Sequence, residues 1–512
     1  MKLNKLFLGT LAVVLTACSP SFLDVEPNGS TVTQEQYDNN PKSLDAHLLG
    51  LYRLMDIGMT DSHDSYGQKS NDIYSDVLSG DAAIKNPYLL YDYYAEVWRL
   101  NNSTAQFNNY EVWAFYYKII KNANVVIRNA KKLKIKNTDD EKAQRHYLGQ
   151  ALAMRAYSYF NLAVFYGKAN DQLGTGNGLD DDCCPVYNEE VPDTLPVQLS
   201  SLREVYNFIQ TDLDTAIVYL QDYQRTTKTN IDLDVAKLLL ASAMLQRGVY
   251  DDNATIFTKA RDLAIDVING GKFSMLGLDE VTTNGFNNIN TPSWMWGKDI
   301  TAETTGMLKS FWGRIDIFTY SYAFGPYCVQ VDARLYEDNK IIYPNDVRFY
   351  WWDVTYKGQL SQKDQDNYKY APLWKFYTPA RDLDNLDRAW LNDILYMRIE
   401  EAYLVAAEAA YRLKDFTNAS KYLQELLENR DPVTAATITT ITNASDFEHL
   451  LQFNWRVEMW GEGRGLRTLK RFGNNCDRGS NHYNTQKTSV PTSVYFTFSL
   501  PNSEYVLNPY AH

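Results

Sequence analysis

Two stretches of this chain share one pattern, which constrains the fold more than any other feature. The first, LLLASAMLQRGVYDDNATIFTKARDLAIDVI, starts at Leu238. The second, EEAYLVAAEAAYRLKDFTNASKYLQELLENR, covers residues 400–430. Each reads as two helices joined by a tight turn, with the first turn expected at Gly248. Small residues stand where the helices must cross: Ala241 and Ala243 in the first unit, Ala406, Ala410 and Ala419 in the second. Such a pair buries only one face by itself and must stack on neighbours to bury the other.

The neighbours are also in the sequence. Residues 110–133 carry Trp113, Tyr117, Ile120, Asn124 and Ile127 on one helical face. Residues 139–166 carry Leu148, Leu152, Arg155, Tyr159 and Leu162. A further helix is expected over 201–219, then 233–248 and 253–269. Near the start, Leu44, Leu48, Leu51 and Met55 recur at helical spacing in a helix expected from Thr33. The repeated hairpins follow the pattern of a tetratricopeptide repeat. The fold class is therefore all-α, with helix hairpins as scaffold.

Two regions break the helical period. Residues 56–98 are rich in Asp, Ser, Asn, Gly and Tyr and read as a long exposed loop. Residues 272–392 hold TPSWMWGKDI, FWGRIDIFTYSYAFGPYCVQV and YPNDVRFYWWDVTYKGQ, and read as loops and short strands. Long loops of this kind tend to carry function. Aromatic residues make up 14% of the chain, with 38 Tyr and 11 Trp. Tyr and Trp join an apolar face to a polar edge, which suits a surface that grips something partly apolar and partly hydroxylated. Trp294 and Trp296 alternate as in a strand with one side in the core, and Trp351-Trp352 reads as packing.

The N-terminus places the chain. Lys2 and Lys5 precede an uncharged apolar run, Leu6 to Ala17, which is too short to span a bilayer of about 20 residues. It reads as a secretory signal over residues 1–17. Leu15-Thr16-Ala17-Cys18 has the form of a bacterial lipobox. By that resemblance Cys18 becomes the lipid-bearing N-terminus, followed by a polar tether over 18–32. No later run is long and apolar enough to span a membrane. The formal charge of −13 argues against nucleic acid as partner. Cys183, Cys184, Cys328 and Cys476 are too few for a disulfide scaffold, though one long-range bridge stays open.

Enzyme signatures are missing. There is no His-Glu-x-x-His, Gly-x-Ser-x-Gly or Walker A sequence, and the six His are scattered. The Gly174-x-Gly176-x-Gly178 run reads as a flexible loop, and Gly461-x-Gly463-x-Gly465 as a helix-breaking turn. Asp180-Asp181-Asp182 reads as a solvated turn, without the ligand spacing of a calcium loop. No cofactor, metal or catalytic residue is expected.

Several segments, in order, resemble the SusD/RagB family of outer-membrane nutrient-binding lipoproteins: the lipobox with FLDVEP after it, VWAFYYKIIKNANVVI, GQALAMRAYSYFNLAVFYG, YPNDVRFYWW, YMRIEEAYLVAAEA, RVEMWGEGRGLRTLKRFG and FTFSLPNSEYVLNP. Departures are Asn454-Trp455, where Glu-Arg is usual, and Thr468, where Asp is usual. The resemblance implies one SusD-like domain over 33–512. It also implies a lipid anchor in the outer membrane and a SusC-type TonB-dependent transporter as partner. The ligand it implies is an oligosaccharide or, as in the RagB branch, an oligopeptide. The aromatic density of the loops favours the glycan. The family analogy puts the site on the two loop regions: Asp81, Asn86, Tyr88, Tyr91 and Trp98 from the first, and Trp312, Tyr320 and Tyr327 from the second.

Overall fold

A computed structural model describes residues 42–98, 107–170, 178–192, 195–304, 308–384, 386, 391–490 and 492–511. The signal segment, Cys18, the tether, residues 33–41, and Gly174 and Gly176 lie outside the described residues. The first described helix, α1 (Ser43–Arg53), buries Leu44, Leu48 and Leu51, and Met55 follows them inward.

The region read as a long exposed loop contains a second helix, α2 (Gln68–Ser79), whose twelve residues are all buried. This corrects the sequence reading. Ser70, Asn71, Asp72, Ser75 and Asp76 look like loop residues, but the partners of Ser75 and Asp76 lie far along the chain. The Asp76 carboxylate accepts backbone N–H groups of Gly461 at 2.8 Å, Gly463 at 3.3 Å and Gly465 at 3.0 Å. Ser75 Oγ donates to the Gly463 carbonyl at 3.0 Å, and Lys69 Nζ to that of Gly461 at 2.7 Å. Gly463 has φ +75° and no room for a Cβ against Asp72, so the turn needs glycine there. A buried polar helix is tolerable because most of its polar groups are paired.

The scaffold then runs α3 (Phe107–Lys132), α4 (Thr138–Tyr166), α5 (Leu202–Tyr219), α6 (Leu233–Asp251) and α7 (Ala254–Asn269), each packed on the next. Side chains cap these helices where the sequence offers them. Asn137 accepts from Asp140 N–H, Asp232 from Val235 N–H, and Ser201 with Glu204 forms a reciprocal capping box. The turn expected at Gly248 falls four residues later, at Asp252 with φ +45°. Gly248 instead sits inside α6, where the Phe257 ring leaves no space for a Cβ.

After α7 the chain leaves the stack for some 130 residues. The excursion holds strand β2 (Trp294–Lys298), the short helices α8 (Phe311–Ile315) and α9 (Ala333–Ile342), and strand β4 (Ile394–Arg398), which pairs antiparallel with β2. Two-residue strands β1 (Ala82–Ala83) and β3 (Gln330–Val331) also pair antiparallel. Helix α9 was not expected from sequence, because it buries only Ala333 and Leu335 and so shows no apolar stripe. The stack resumes with α10 (Glu400–Arg412), which packs on α7, followed by α11 (Phe416–Leu427). Helices α12 (Ala444–Glu458) and α13 (Gly465–Phe472) close the fold, α13 against α2. Cys183, Cys184, Cys328 and Cys476 are buried free thiols. Asp180 pairs with Arg203 and Asp181 with Lys168.

A buried ion network ties the excursion to the stack. Arg398 reaches Glu458 at 2.5 Å, Glu462 at 2.9 Å and Glu400 at 3.3 Å. Arg430 joins Glu400 and Glu458, Arg348 joins Asp346 and Glu458, and Lys375 joins Glu462. Burial raises the proton affinity of Glu462, but Arg398 and Lys375 hold it at about 2; burial brings Lys375 down to about 8.

Candidate functional site: a tyrosine cluster on two clipped loops

Pairing of β1 with β3 sets Ala82 opposite Val331 and Ala83 opposite Gln330. The loop leaving β1 and the loop entering β3 therefore meet. Tyr88 stacks on Tyr327 with ring centres 4.6 Å apart and planes 28° from parallel. Tyr322 lies 6.0 Å from Tyr88 and meets Tyr91 edge-on at 5.2 Å. His63 stacks on Tyr91 at 5.8 Å and hydrogen-bonds the Tyr322 hydroxyl through Nδ1. Five rings from three loop segments thus form one cluster.

Charge supports the cluster from below. Arg314 on α8 is buried, and its guanidinium sits 5.7 Å from the ring centres of both Tyr91 and Tyr322. A cation at that distance is attracted to the ring face. Arg314 pairs with Asp92, whose backbone N–H donates to Asp64 at 3.1 Å. Burial pushes Asp92 up to about 6 against the pull of Arg314. The backbone is bent to make the platform: Leu89, Leu90 and Asp92 have φ of +51°, +64° and +55°. Residues other than glycine adopt such values at a cost of order 1 kcal/mol each, which the surrounding structure must offset. The outer rim is open. Tyr88 is 41%, Leu89 63% and Leu90 55% exposed, and Asn86 is exposed beside them.

The structure brings together some of the residues singled out from sequence. Tyr88, Tyr91 and Tyr327 are in the cluster, with Asn86 on its rim. Tyr320 is half-buried and packs edge-on against Phe324 at 5.1 Å. Trp312 is buried on α8 against Phe311 and Phe376. Trp98 is buried too: its Nε1 donates to the Leu78 carbonyl at 3.1 Å, and the Arg478 guanidinium covers its ring at 3.7 Å. Asp81 is buried in an ion pair with Arg456 at 2.5 Å, and its carbonyl accepts from Trp460 Nε1 at 3.0 Å. Asp81, Trp98 and Trp312 are thus buried and stand outside the tyrosine cluster. Sequence reasoning missed His63, Tyr322 and Arg314. Tyr322 differs from Tyr320 by a single alternation, and no local signal says which of the two faces the first loop.

Chemically, the cluster offers ring faces flanked by hydroxyls and an amide. Among the described residues no group of three or more His, Cys, Asp or Glu is placed to hold a metal ion. Also among them, no helix is long and apolar enough to cross a membrane.

The fold and the cluster define a class: a helix-hairpin scaffold that carries an aromatic cluster on inserted loops. Comparison with known proteins names it. Residues 21–237 match a family model described as "Starch-binding associating with outer membrane", and residues 282–504 match the SusD family model. A SusD-like protein of Bacteroides ovatus is 26% identical over 297 residues, which are 57% of this chain and 49% of the relative. The match therefore spans about half that relative's length. A SusD-like carbohydrate binding protein from Bacteroides vulgatus superposes with TM-score 0.72 at 21% identity, over 92% of this chain and 97% of that one. A SusD superfamily protein from Bacteroides thetaiotaomicron gives 0.72 and 21%, over 92% and 98%. The chain belongs to the SusD/RagB family.

Proposed function

We propose that this protein is a lipid-anchored, non-enzymatic glycan-capture protein of the outer membrane. In this reading residues 1–17 are a signal peptide, Cys18 carries the lipid, 18–32 tether it, and 33–512 form the binding domain. The domain faces the cell exterior and passes oligosaccharides to a SusC-type TonB-dependent transporter. Family membership supports the setting, and the lipobox supports the anchor. The observation that carries the ligand class is the stack of Tyr88 on Tyr327. A sugar has an apolar C–H face and a hydroxyl rim. The cluster answers the face with rings and the rim with tyrosine hydroxyls and Asn86, the mix of apolar lining and few polar groups expected of a binding site.

The test is retardation of the protein in native gels loaded with a panel of polysaccharides. At least one neutral glycan should retard it, and Tyr88→Ala or Tyr327→Ala should reduce the shift. Failure of every polysaccharide and oligosaccharide to bind, together with retention of a peptide mixture, would replace this reading with an oligopeptide receptor.

A further inference from the structure

On the other side of α8 from the tyrosine cluster lies a second recess. Trp312 and Arg314 are two residues apart, about 200° around the helix, so they face opposite ways. Arg314 supports the cluster. Trp312 instead lines a small chamber of about 70 Å³, with Met55, Asp56, Tyr66 and Tyr396 among its other walls. Met55 and Tyr396 also line an adjoining cleft of about 340 Å³, bounded by Tyr52, Arg53, Asn230 and Trp296.

The chamber is distinguished by what its walls lack. Tyr66 Oη, Tyr396 Oη, Trp312 Nε1 and Asp56 Oδ1 are buried atoms with no hydrogen-bond partner. The first three belong to side chains that are 6%, 6% and 1% exposed. Buried polar atoms are nearly always paired, and four orphans around one void call for something that pairs them. The charged groups nearby already have partners in the protein. Lys298 pairs with Asp56 through Oδ2, Lys69 with Asp72 at 2.9 Å, and Lys309 donates to the Thr60 carbonyl. Each of these cations is thus engaged within the protein.

We propose that this cleft and chamber form a second ligand site, for a single neutral pyranose unit. The ring occupies the outer cleft, whose volume is at the small end of ligand pockets. A hydroxyl or hydroxymethyl group enters the chamber. A sugar hydroxyl both donates and accepts, which is what an indole N–H, a carboxylate oxygen and two phenols together require. The site is separate from the platform assigned to the long glycan and does not depend on that assignment.

The test is calorimetric titration of the full-length protein in detergent with methyl glycosides of glucose, galactose, mannose and xylose, each to ~20 mM, well above a millimolar Kd. At least one should bind. Tyr396→Phe, which keeps the ring and removes the hydroxyl, should weaken it at least about tenfold. Leu49→Trp should abolish it by filling the mouth of the cleft from an exposed position, 62% open on α1. Tyr88→Ala, in the other cluster, should leave it unchanged. Thermal unfolding of each variant separates lost binding from lost folding, and Leu49→Trp does not touch the core. No binding by any glycoside would mean that water alone fills the chamber and would overturn the proposal. Binding lost in Tyr88→Ala but kept in Leu49→Trp would also overturn it.

Discussion

Replacing Arg398 by Met should destabilise the protein far more than loss of one hydrogen-bonded side chain would suggest. Arg398 is fully buried and within 3.3 Å of Glu400, Glu458 and Glu462. The network balances Arg348, Arg398, Arg430 and Lys375 against Asp346, Glu400, Glu458 and Glu462. Without Arg398 one carboxylate has no counter-charge, in a place where none of the four acids is more than 3% exposed. Breaking a buried pair in this way costs about 3–5 kcal/mol. The cost comes mainly from the stranded charge and not from the lost attraction. A second change, Glu462→Gln, should therefore restore balance and recover about half of the loss. The assay is urea unfolding followed by tryptophan fluorescence. Trp351 reports locally, because Lys375 Nζ lies 4.4 Å from its ring. A single-variant cost below about 1 kcal/mol, or a double variant as unstable as the sum of the singles, would refute the reasoning.

Further expectations follow from the same structure. Burial raises Asp76 to about 7, Glu111 to about 8, and Asp92 and Asp316 to about 6. The fold therefore binds more protons than the unfolded chain between about pH 4 and 7, and stability from these groups falls as pH rises through that window. Burial also acts on Glu401, but Arg464 and Arg467 hold it at about 2, so its contribution is present above about pH 4.5 and is lost towards pH 2. The urea midpoint should peak near pH ~5; a midpoint that climbs steadily to pH ~8 would contradict this balance. Gly248→Ala should cost about 1–3 kcal/mol by forcing a methyl group against the Phe257 ring, read as a lower melting temperature. Tyr88→Ala should weaken binding of the retarding glycan about tenfold, or ~1.4 kcal/mol, without moving the melting temperature, since the ring is on the rim.

Much of the scaffold could be read in the sequence because long amphipathic helices announce themselves. Helices α3 to α7 begin and end within a few residues of where the helical period puts them. Helix α2 was not legible. Its Lys69, Ser75 and Asp76 side chains are satisfied by Gly461, Gly463 and Gly465, nearly four hundred residues away, and a local pattern cannot show a distant partner. The segments that carried the family resemblance also have a physical meaning. Arg398, Glu400, Glu458 and Glu462 come from YMRIEEAYLVAAEA and RVEMWGEGRG, and they make up half of the ion network. The resemblance therefore reports the scaffold and does not choose between an oligosaccharide and an oligopeptide.

The candidate site was legible in part for a related reason. Tyr88, Tyr91 and Tyr327 stand out as loop aromatics, and so do Trp98 and Trp312, but aromatic identity does not say which rings are covered. Trp98 is covered by Arg478 and Tyr495, residues from the C-terminal segment. What sorts the rings is the short β1–β3 clip, which is two residues long and leaves no trace in composition.

The measurement that tests the central claim most directly is the structure of the protein with an oligosaccharide of the retarding glycan bound. The account predicts a sugar ring against Tyr88 and Tyr327, with hydroxyls reaching Asn86, Tyr91 or Tyr322. An oligosaccharide seated elsewhere, with the tyrosine cluster bare, would contradict it.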